Sequence, residues 1–225
     1  MTRSLKIDFV SDIVCPWCAI GLGGLEAALQ RLDGEISADI HFQPFELHPD
    51  MPAGGEDLAA RLAAKYDRSP EEMAVAYAQM AARAAEVGVD MVRRPDARIY
   101  NTFDAHRLLH WAELTGRQAA LKHALFETYF TRGEALDDPD VLAAAAATAG
   151  LSADEAREVL SSGRYAEQVR LAERRWRALG VNSVPTVIVE GRYMISGGQP
   201  AEAFEQALRR IAEAEAAEAV EAAHV

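Results

Sequence analysis

Cys15-Pro16-Trp17-Cys18 holds both cysteines of this 225-residue chain, between an apolar run, Leu5 to Val14, and a Gly- and Ala-rich stretch of helical character. Two thiols separated by two residues at a strand-to-helix junction can close into a small disulfide ring with little backbone movement, which points to redox chemistry. The start of the helix explains why the first thiol should react. Cys15 falls at the N-cap, Pro16 at the first helical position where no N–H is needed, and Trp17 and Cys18 supply amides directed back at the sulfur. A thiolate there is stabilised by unpaired donors and by the positive end of the helix dipole, so its pKa is expected below the ordinary value of about 8.5. Cys15 is expected to be exposed and Cys18 shielded.

Two other readings of the pair compete. A closed structural zinc site needs four ligands, and there is no second CxxC. His106 and His110, at i and i+4, could complete a Cys2His2 set, but they fall on a different, mostly apolar helix, where such a pair is more often packing than ligand. No metal is expected. A purely structural disulfide is disfavoured because so short a ring constrains little of the unfolded chain.

Half of the residues are hydrophobic, enough for one sizeable domain or a domain with a large insertion. No stretch approaches the length of an apolar membrane span, and Met1-Thr2-Arg3-Ser4 runs straight into a strand-like segment instead of an export signal. The expected compartment is therefore the cytoplasm, where a CxxC is catalytic or metal-binding more often than structural. The formal charge of −12 works against nucleic-acid and anionic-membrane partners.

Lys6 to Val10 reads as a first strand and Pro16 to Leu32 as a helix, with Leu22, Leu25, Leu29 and Leu32 at helical spacing and Asp33-Gly34 ending it. Strand-like alternation follows from Ile36 to Leu47, through Ile40, Phe42 and Phe45, and then a Pro- and Gly-rich loop, His48 to Gly55. From about Glu56 to Leu179 the pattern is helical nearly throughout: Leu58 to Tyr66, a helix capped by Ser69 in Ser69-Pro70-Glu71-Glu72, then Asn101 to Thr115, Arg117 to Phe130, Asp138 to Ala149, Ser152 to Leu160 and Gly163 to Leu179. Thr186 to Val189, a Glu190-Gly191 turn and Arg192 to Ile195 read as a β-hairpin. A last helix runs from Pro200 through Ile211 into an Ala/Glu tail, 212–225.

The order βαβ, helical block, ββα, with CxxC opening the first helix, is the layout of the thioredoxin fold carrying a large all-helical insertion. Residues 1–55 and 180–225 would form the thioredoxin-like domain and 56–179 the insertion. That layout requires a cis-proline just before the third main strand, and Ser183-Val184-Pro185-Thr186 stands there. Proline is the one residue for which cis is cheap, and at a strand entrance it removes no interior ladder bond.

Cys15-Pro16-Trp17-Cys18 followed by Ala19-Ile20-Gly21, with Asp12 ahead of it, resembles the DsbA superfamily and, within it, the FrnE-like dithiol oxidoreductases. Asn101-Thr102 with Ala105-His106-Arg107-Leu108, and Gly180-Val181 through Val184-Pro185 to Ile195-Ser196-Gly197-Gly198-Gln199-Pro200, carry the resemblance from Ile7 to about Leu208. It implies a thiol–disulfide oxidoreductase with no bound cofactor beyond the redox-active disulfide, acting on protein or small-molecule thiols and disulfides, with glutathione a candidate co-substrate. Cys15 would exchange with substrate and Cys18 resolve the mixed disulfide. Val184 and Pro185 would present backbone to an extended substrate, and Pro185 would keep metals from the thiols. Pro16 and Trp17 would tune the potential, with Trp17 at the groove edge. Asp12 would assist proton transfer to Cys18 or simply end the first strand at the surface. Ala19 stands where relatives commonly carry an aromatic, and Asn182-Ser183 where a Gly is common, which would reshape the groove.

An alternative within the same superfamily is a glutathione-dependent isomerase or kappa-type glutathione transferase. Asn101, Arg107 and the loop around His48 would then shape a small-molecule pocket. Such proteins typically have Ser in place of Cys15, so the intact CxxC tells against this. A binding or chaperone-like module using the groove without turnover is a third class. His41, His123 and His224 read as solvent or packing positions, and Trp111 and Trp176 as core of the helical block. Monomer and homodimer both remain open.

Overall fold

The computed structural model describes residues 2–67 and 69–222, so the end of the tail and His224 lie outside the described residues. In chain order the elements are β1 (Arg3–Ser11), α1 (Pro16–Arg31), β2 (Ile36–Pro44), β3 (Glu56–Asp57), α2 (Leu58–Tyr66), α3 (Pro70–Glu86), β4 (Arg98–Ile99), α4 (Phe103–Leu114) and α5 (Gln118–Phe126). A π-helical extension follows (Glu127–Arg132), then α6 (Pro139–Thr148), α7 (Ala153–Ser162), α8 (Ala166–Ala178), β5 (Thr186–Val189), β6 (Tyr193–Ser196) and α9 (Ala201–Ala222). The main sheet has the order β2-β1-β5-β6. β1 and β2 are parallel, from Arg3 opposite Ile36 to Ser11 opposite Pro44, while β5 and β6 join antiparallel. This is a thioredoxin-like sheet of the mixed α/β class.

β1 is central, and its alternation sorts the core. Leu5, Ile7 and Phe9 point to one face, where they join Leu22 and Leu25 of α1 and Phe204 and Leu208 of α9 in one apolar cluster. Each such side chain contributes roughly 1.5–3 kcal/mol by leaving water. Phe9 meets Phe42 of β2 edge-on, with ring centroids 5.9 Å apart. Val10 points to the other face with Ile188, Phe45 and Val181, and there Trp176 of α8 covers them. Trp176 is thus a lid on the sheet, bonded through Nε1 to Gln43 at 3.3 Å, where the sequence reading places it in the core of the helical block. Trp111 is buried in the larger cluster.

The helix starts follow from local chemistry. Ser69 and Glu72 form a reciprocal capping box, and Asp57, Asp138 and Ser152 cap α2, α6 and α7. In the hairpin, Glu190 and Gly191 take φ of 53° and 66°, the left-handed backbone that a tight hairpin turn needs. Two features depart from the reading of 56–179 as helical nearly throughout. β3 and β4 pair antiparallel, too short to show alternation in sequence. The segment after α5 also widens into a π-helix, in which the Thr128 hydroxyl donates to the Ala124 carbonyl at 2.7 Å. The outer edge of β2 is met by Gln118 of α5, whose side chain accepts from Phe42 N–H at 2.8 Å and donates to its carbonyl at 3.0 Å. Those two bonds cover the edge at Phe42 and fix α5 against the sheet.

Candidate active site

Cys15 occupies the N-cap of α1 in extended conformation (φ −88°, ψ 111°), with Pro16 at the first helical position. Cys18 N–H donates to the Cys15 carbonyl at 3.0 Å, the first bond of the helix. The peptide bond between Val184 and Pro185 is cis, and the Val184 carbonyl accepts from the Cys15 thiol at 3.8 Å. One strand-entrance segment, 169 residues away in sequence, therefore faces the dithiol. Cys15 keeps only 5% of its surface and Cys18 none. The expectation of an exposed Cys15 is corrected accordingly, because the Val184 carbonyl lies against it.

The two thiols differ sharply in acidity. Cys15 is lowered chiefly because the Cys18 thiol hydrogen-bonds to its sulfur; burial opposes this, and the Cys18 and Trp17 amides add to it. Cys18 is pushed well above the ordinary thiol range, first by burial and then by donating to Cys15. The arrangement presents the more acidic thiol over one protected thiol, the division of labour that thiol–disulfide exchange needs.

Glycines make this approach possible. A Cβ on Gly21 would lie 3.0 Å from Pro185 Cγ and 3.1 Å from Gly198 Cα. One on Gly24 would lie 2.5 Å from the Gln199 carbonyl oxygen, and one on Gly198 2.8 Å from that of Trp17. The 195–200 segment thus crosses α1 backbone to backbone. The Gly-rich composition of α1 hinted at close packing without naming its partner.

Trp17 is 39% exposed at the rim, with the Arg83 guanidinium of α3 5.7 Å from its ring centroid. Ala19 is buried in the core and does not line the groove, whereas Asn182 and Ser183 are exposed beside it. Asp12 is not a surface strand end, because it is wholly buried. Its carboxylate accepts from Ile13 N–H and Leu47 N–H, each at 2.7 Å, and His106 Nε2 lies 3.5 Å away. Burial acts to raise its pKa, but His106, the Leu47 amide and Thr102 prevail and hold it below the ordinary carboxylate value. Asp12 thus stays ionised and pins β1 to the loop after β2.

The residues read as a small-molecule pocket are largely spent on the fold. Arg107 is buried, bonded to Asp104 and to the carbonyls of Val159, Leu160 and Arg164, so it ties α4 to the end of α7. Its assignment to a ligand pocket is corrected on that ground. Asn101 accepts from Phe103 N–H at 2.9 Å to start α4 and donates to the Pro49 carbonyl at 3.3 Å, which fastens the loop carrying His48. His48 is half-buried against Arg61 at 3.0 Å and lowered mainly by burial. His106 faces Asp12 while its helical neighbour His110 stacks on Tyr165, with ring centroids 5.1 Å apart. His41 and His123 sit in ion pairs with Glu113 and Glu26.

Sequence reasoning missed two groups. Glu46 is buried with Glu173 against Arg170, and burial pushes it up to about 7, with the neighbouring Glu173 adding. Lys122 of α5 is wholly buried. A lysine followed by His in an amphipathic helix carries no local signal of burial.

Residues 6–209 match the family of the DSBA-like thioredoxin domain. A probable DsbA oxidoreductase of Streptomyces coelicolor, SCO1869, is 36% identical and superposes with a TM-score of 0.85 over 92% of this chain and 89% of that one. YwbO of Bacillus subtilis strain 168 is 25% identical over 210 residues, 92% of this chain and 96% of YwbO. DsbM of Pseudomonas aeruginosa, a cytosolic disulfide reductase whose structure holds GSH, is 20% identical with a TM-score of 0.61, over 93% of this chain and 100% of that one, and shares the fold.

Proposed function

The chain belongs to the DSBA-like thioredoxin domain family, a family of thiol–disulfide oxidoreductases, and we propose that within it this protein is a FrnE-like cytoplasmic enzyme that exchanges disulfides with protein substrates through Cys15 and Cys18. The observation that carries the proposal is the asymmetry of the pair, a lowered Cys15 facing the Val184 carbonyl above a raised and fully buried Cys18.

In the reducing direction the Cys15 thiolate attacks one sulfur of a substrate disulfide. A Cys15–substrate S–S bond forms, the substrate S–S bond breaks, and the departing sulfur leaves with the electron pair and takes a proton from water. Cys18 then gives up its proton and attacks Cys15, closing the ring and releasing the second substrate thiolate. The enzyme loses two electrons and the substrate gains them; the reverse sequence oxidises a substrate dithiol. Val184 and Pro185 line the face across which an extended substrate would lie. Trp17 offers an apolar edge, and Arg83 places a cation there that suits a carboxylate such as those of glutathione, the proposed small-molecule reductant.

The test is reduction of a protein disulfide by the intact protein with glutathione as electron source. Cys15→Ser should abolish turnover with little loss of stability, and Cys18→Ser should accumulate mixed disulfides detectable by mass. If Cys15→Ser keeps full activity on a glutathione-linked small molecule while the wild type leaves protein disulfides untouched, the isomerase or transferase reading replaces this one. Client binding unaffected by Cys15→Ser, with no turnover by the wild type, would identify a binding module instead.

A further inference from the structure

Arg170, Arg174 and Arg177 share one side of α8, at the i, i+4 and i+7 spacing that lines residues up along a helix. Arg170 is neutralised by Glu46 and Glu173. Arg174 and Arg177 are exposed, and neither meets a carboxylate among the described residues. Arginines elsewhere on the surface of this chain, whose formal charge is −12, are commonly paired: Arg31 with Glu202, Arg157 with Asp140 and Arg209 with Glu35. Two free guanidiniums in line are therefore a local reversal of the protein's charge.

The near end of this row lies at the dithiol. Arg177 holds its guanidinium carbon 4.6 Å from the Phe45 ring centroid and donates to the Glu46 carbonyl at 3.2 Å. Phe45 packs with Val181 and Val184, and the Val184 carbonyl faces Cys15. The far end opens into a cleft of about 590 Å³, lined by Phe103 at the start of α4 and by Ala166, Glu167, Arg170, Leu171 and Arg174 of α8. There the Arg170 guanidinium carbon lies 3.8 Å from the Phe103 ring centroid, and Leu171 keeps 63% of its surface. Stacking on the rings holds the two end guanidiniums in place before anything binds. From Arg170 to Arg177 the helix rises about 10 Å, the length of about three residues of extended chain.

We propose that this side of α8 is a docking track for polypeptide substrates of the dithiol. It selects chains in which acidic residues beside the cysteine pair with Arg177 and Arg174, and an apolar residue beyond them enters the cleft at Leu171 and Phe103. The inference rests on the exchange reaction proposed above and adds its substrate class. Charge complementarity names the occupant, because the track is basic on an acidic protein and its outer end is apolar. Glu167 is the one carboxylate among the residues lining the cleft, so the acidic stretch of the substrate ends before it.

The test uses three peptides, each a disulfide-linked pair of single-cysteine chains with Glu, Gln or Lys on both sides of the cysteine and Leu at each end. Reduced full-length protein is mixed with excess peptide and quenched by alkylation, and the rate of its oxidation is read by mass. Intrinsic reactivity differs among the peptides, so each rate is taken as wild type over Arg174→Gln/Arg177→Gln. An exposed ion pair is worth a factor of about 1.4–5, so two should make this ratio about 2–30 on the Glu peptide. It should be about one on the Gln peptide, below one on the Lys peptide, and closer to one for all in about 0.5 M salt. Arg31→Gln/Arg157→Gln, which removes two charges elsewhere, should match wild type throughout. Arg174 is exposed, so Arg174→Glu serves if the double variant fails to fold; it should slow the Glu peptide and speed the Lys peptide. Leu171→Ser should slow the Leu-ended Glu peptide more than the same peptide ended in Ser, and an equal effect on both would remove the cleft from the track. Equal wild-type-to-variant ratios on the three peptides, or the same preference lost in Arg31→Gln/Arg157→Gln, would overturn the inference while leaving the oxidoreductase reading intact. Reduced wild type that none of the peptides oxidises would overturn both.

Discussion

Replacing Asp12 by Ala should separate what this carboxylate does for the fold from what it does to the thiols. The substitution leaves the amides of Ile13 and Leu47, each now 2.7 Å from a carboxylate oxygen, without acceptors in the interior. An orphaned buried donor costs about 1–3 kcal/mol, so the loss is about 2–6 kcal/mol out of a total stability of roughly 5–15. With a urea m-value of about 2 kcal/mol/M, the unfolding midpoint followed by circular dichroism should fall by about 1–3 M. The effect on the site has the opposite sense. Asp12 raises Cys15, so its removal should shift thiolate formation at 240 nm to lower pH and speed alkylation at mildly acidic pH. Asp12→Asn tests the proton-transfer role separately. A carboxylate held this low is a weak base for a thiol held this high, so resolution of the mixed disulfide should slow by less than the 10²–10⁴-fold typical of a lost general base. An unchanged urea midpoint in Asp12→Ala, or a Cys15 titration moved upward, would refute the reasoning.

Arg107→Leu should cost about 1–3 kcal/mol, because the buried carbonyl of Val159 loses its donor along with the part-buried carbonyls of Leu160 and Arg164, and should leave the Cys15 alkylation rate unchanged; a folded variant of full stability with altered small-molecule affinity would restore Arg107 to a pocket. Gly24→Ala places a methyl 2.5 Å from the Gln199 oxygen, an overpacking cost of about 1–3 kcal/mol against a helix-propensity gain of about 1. Its melting temperature should fall by up to about 8 °C, whereas a rise would mean that the 195–200 segment yields freely. Glu46, raised to about 7 in the folded protein against an ordinary value of about 4.3, holds its proton after the unfolded chain has lost it. Wild-type stability should therefore decline with rising pH relative to Glu46→Gln between those values, by at most about 1.4 kcal/mol per unit. Parallel stability curves from pH 4 to 8 would contradict this.

Local pattern was enough for most of the architecture. The apolar alternation of Ile36 to Leu47, the box of Ser69 and Glu72, the Glu190-Gly191 turn and the strand-entrance Pro185 each depend on neighbours within a few residues, and each lies where such rules place it. The N-cap position of Cys15 is equally local, and so is the Cys18 thiol three residues on that chiefly lowers its pKa. What the tertiary structure decided are meetings between distant segments. Only packing puts the Val184 carbonyl over Cys15, the Leu47 amide on Asp12, the Gln199 backbone against Gly24 and Trp176 on the far face of the sheet. Burial is such a property too. Asp12, Arg107 and Lys122 belong to residue types that water usually covers, and nothing within a few residues of them shows otherwise. Their environment, and so the charge each carries, is set by elements up to a hundred residues away in the chain, which is why the thiols could be read from the sequence and the electrostatics around them could not.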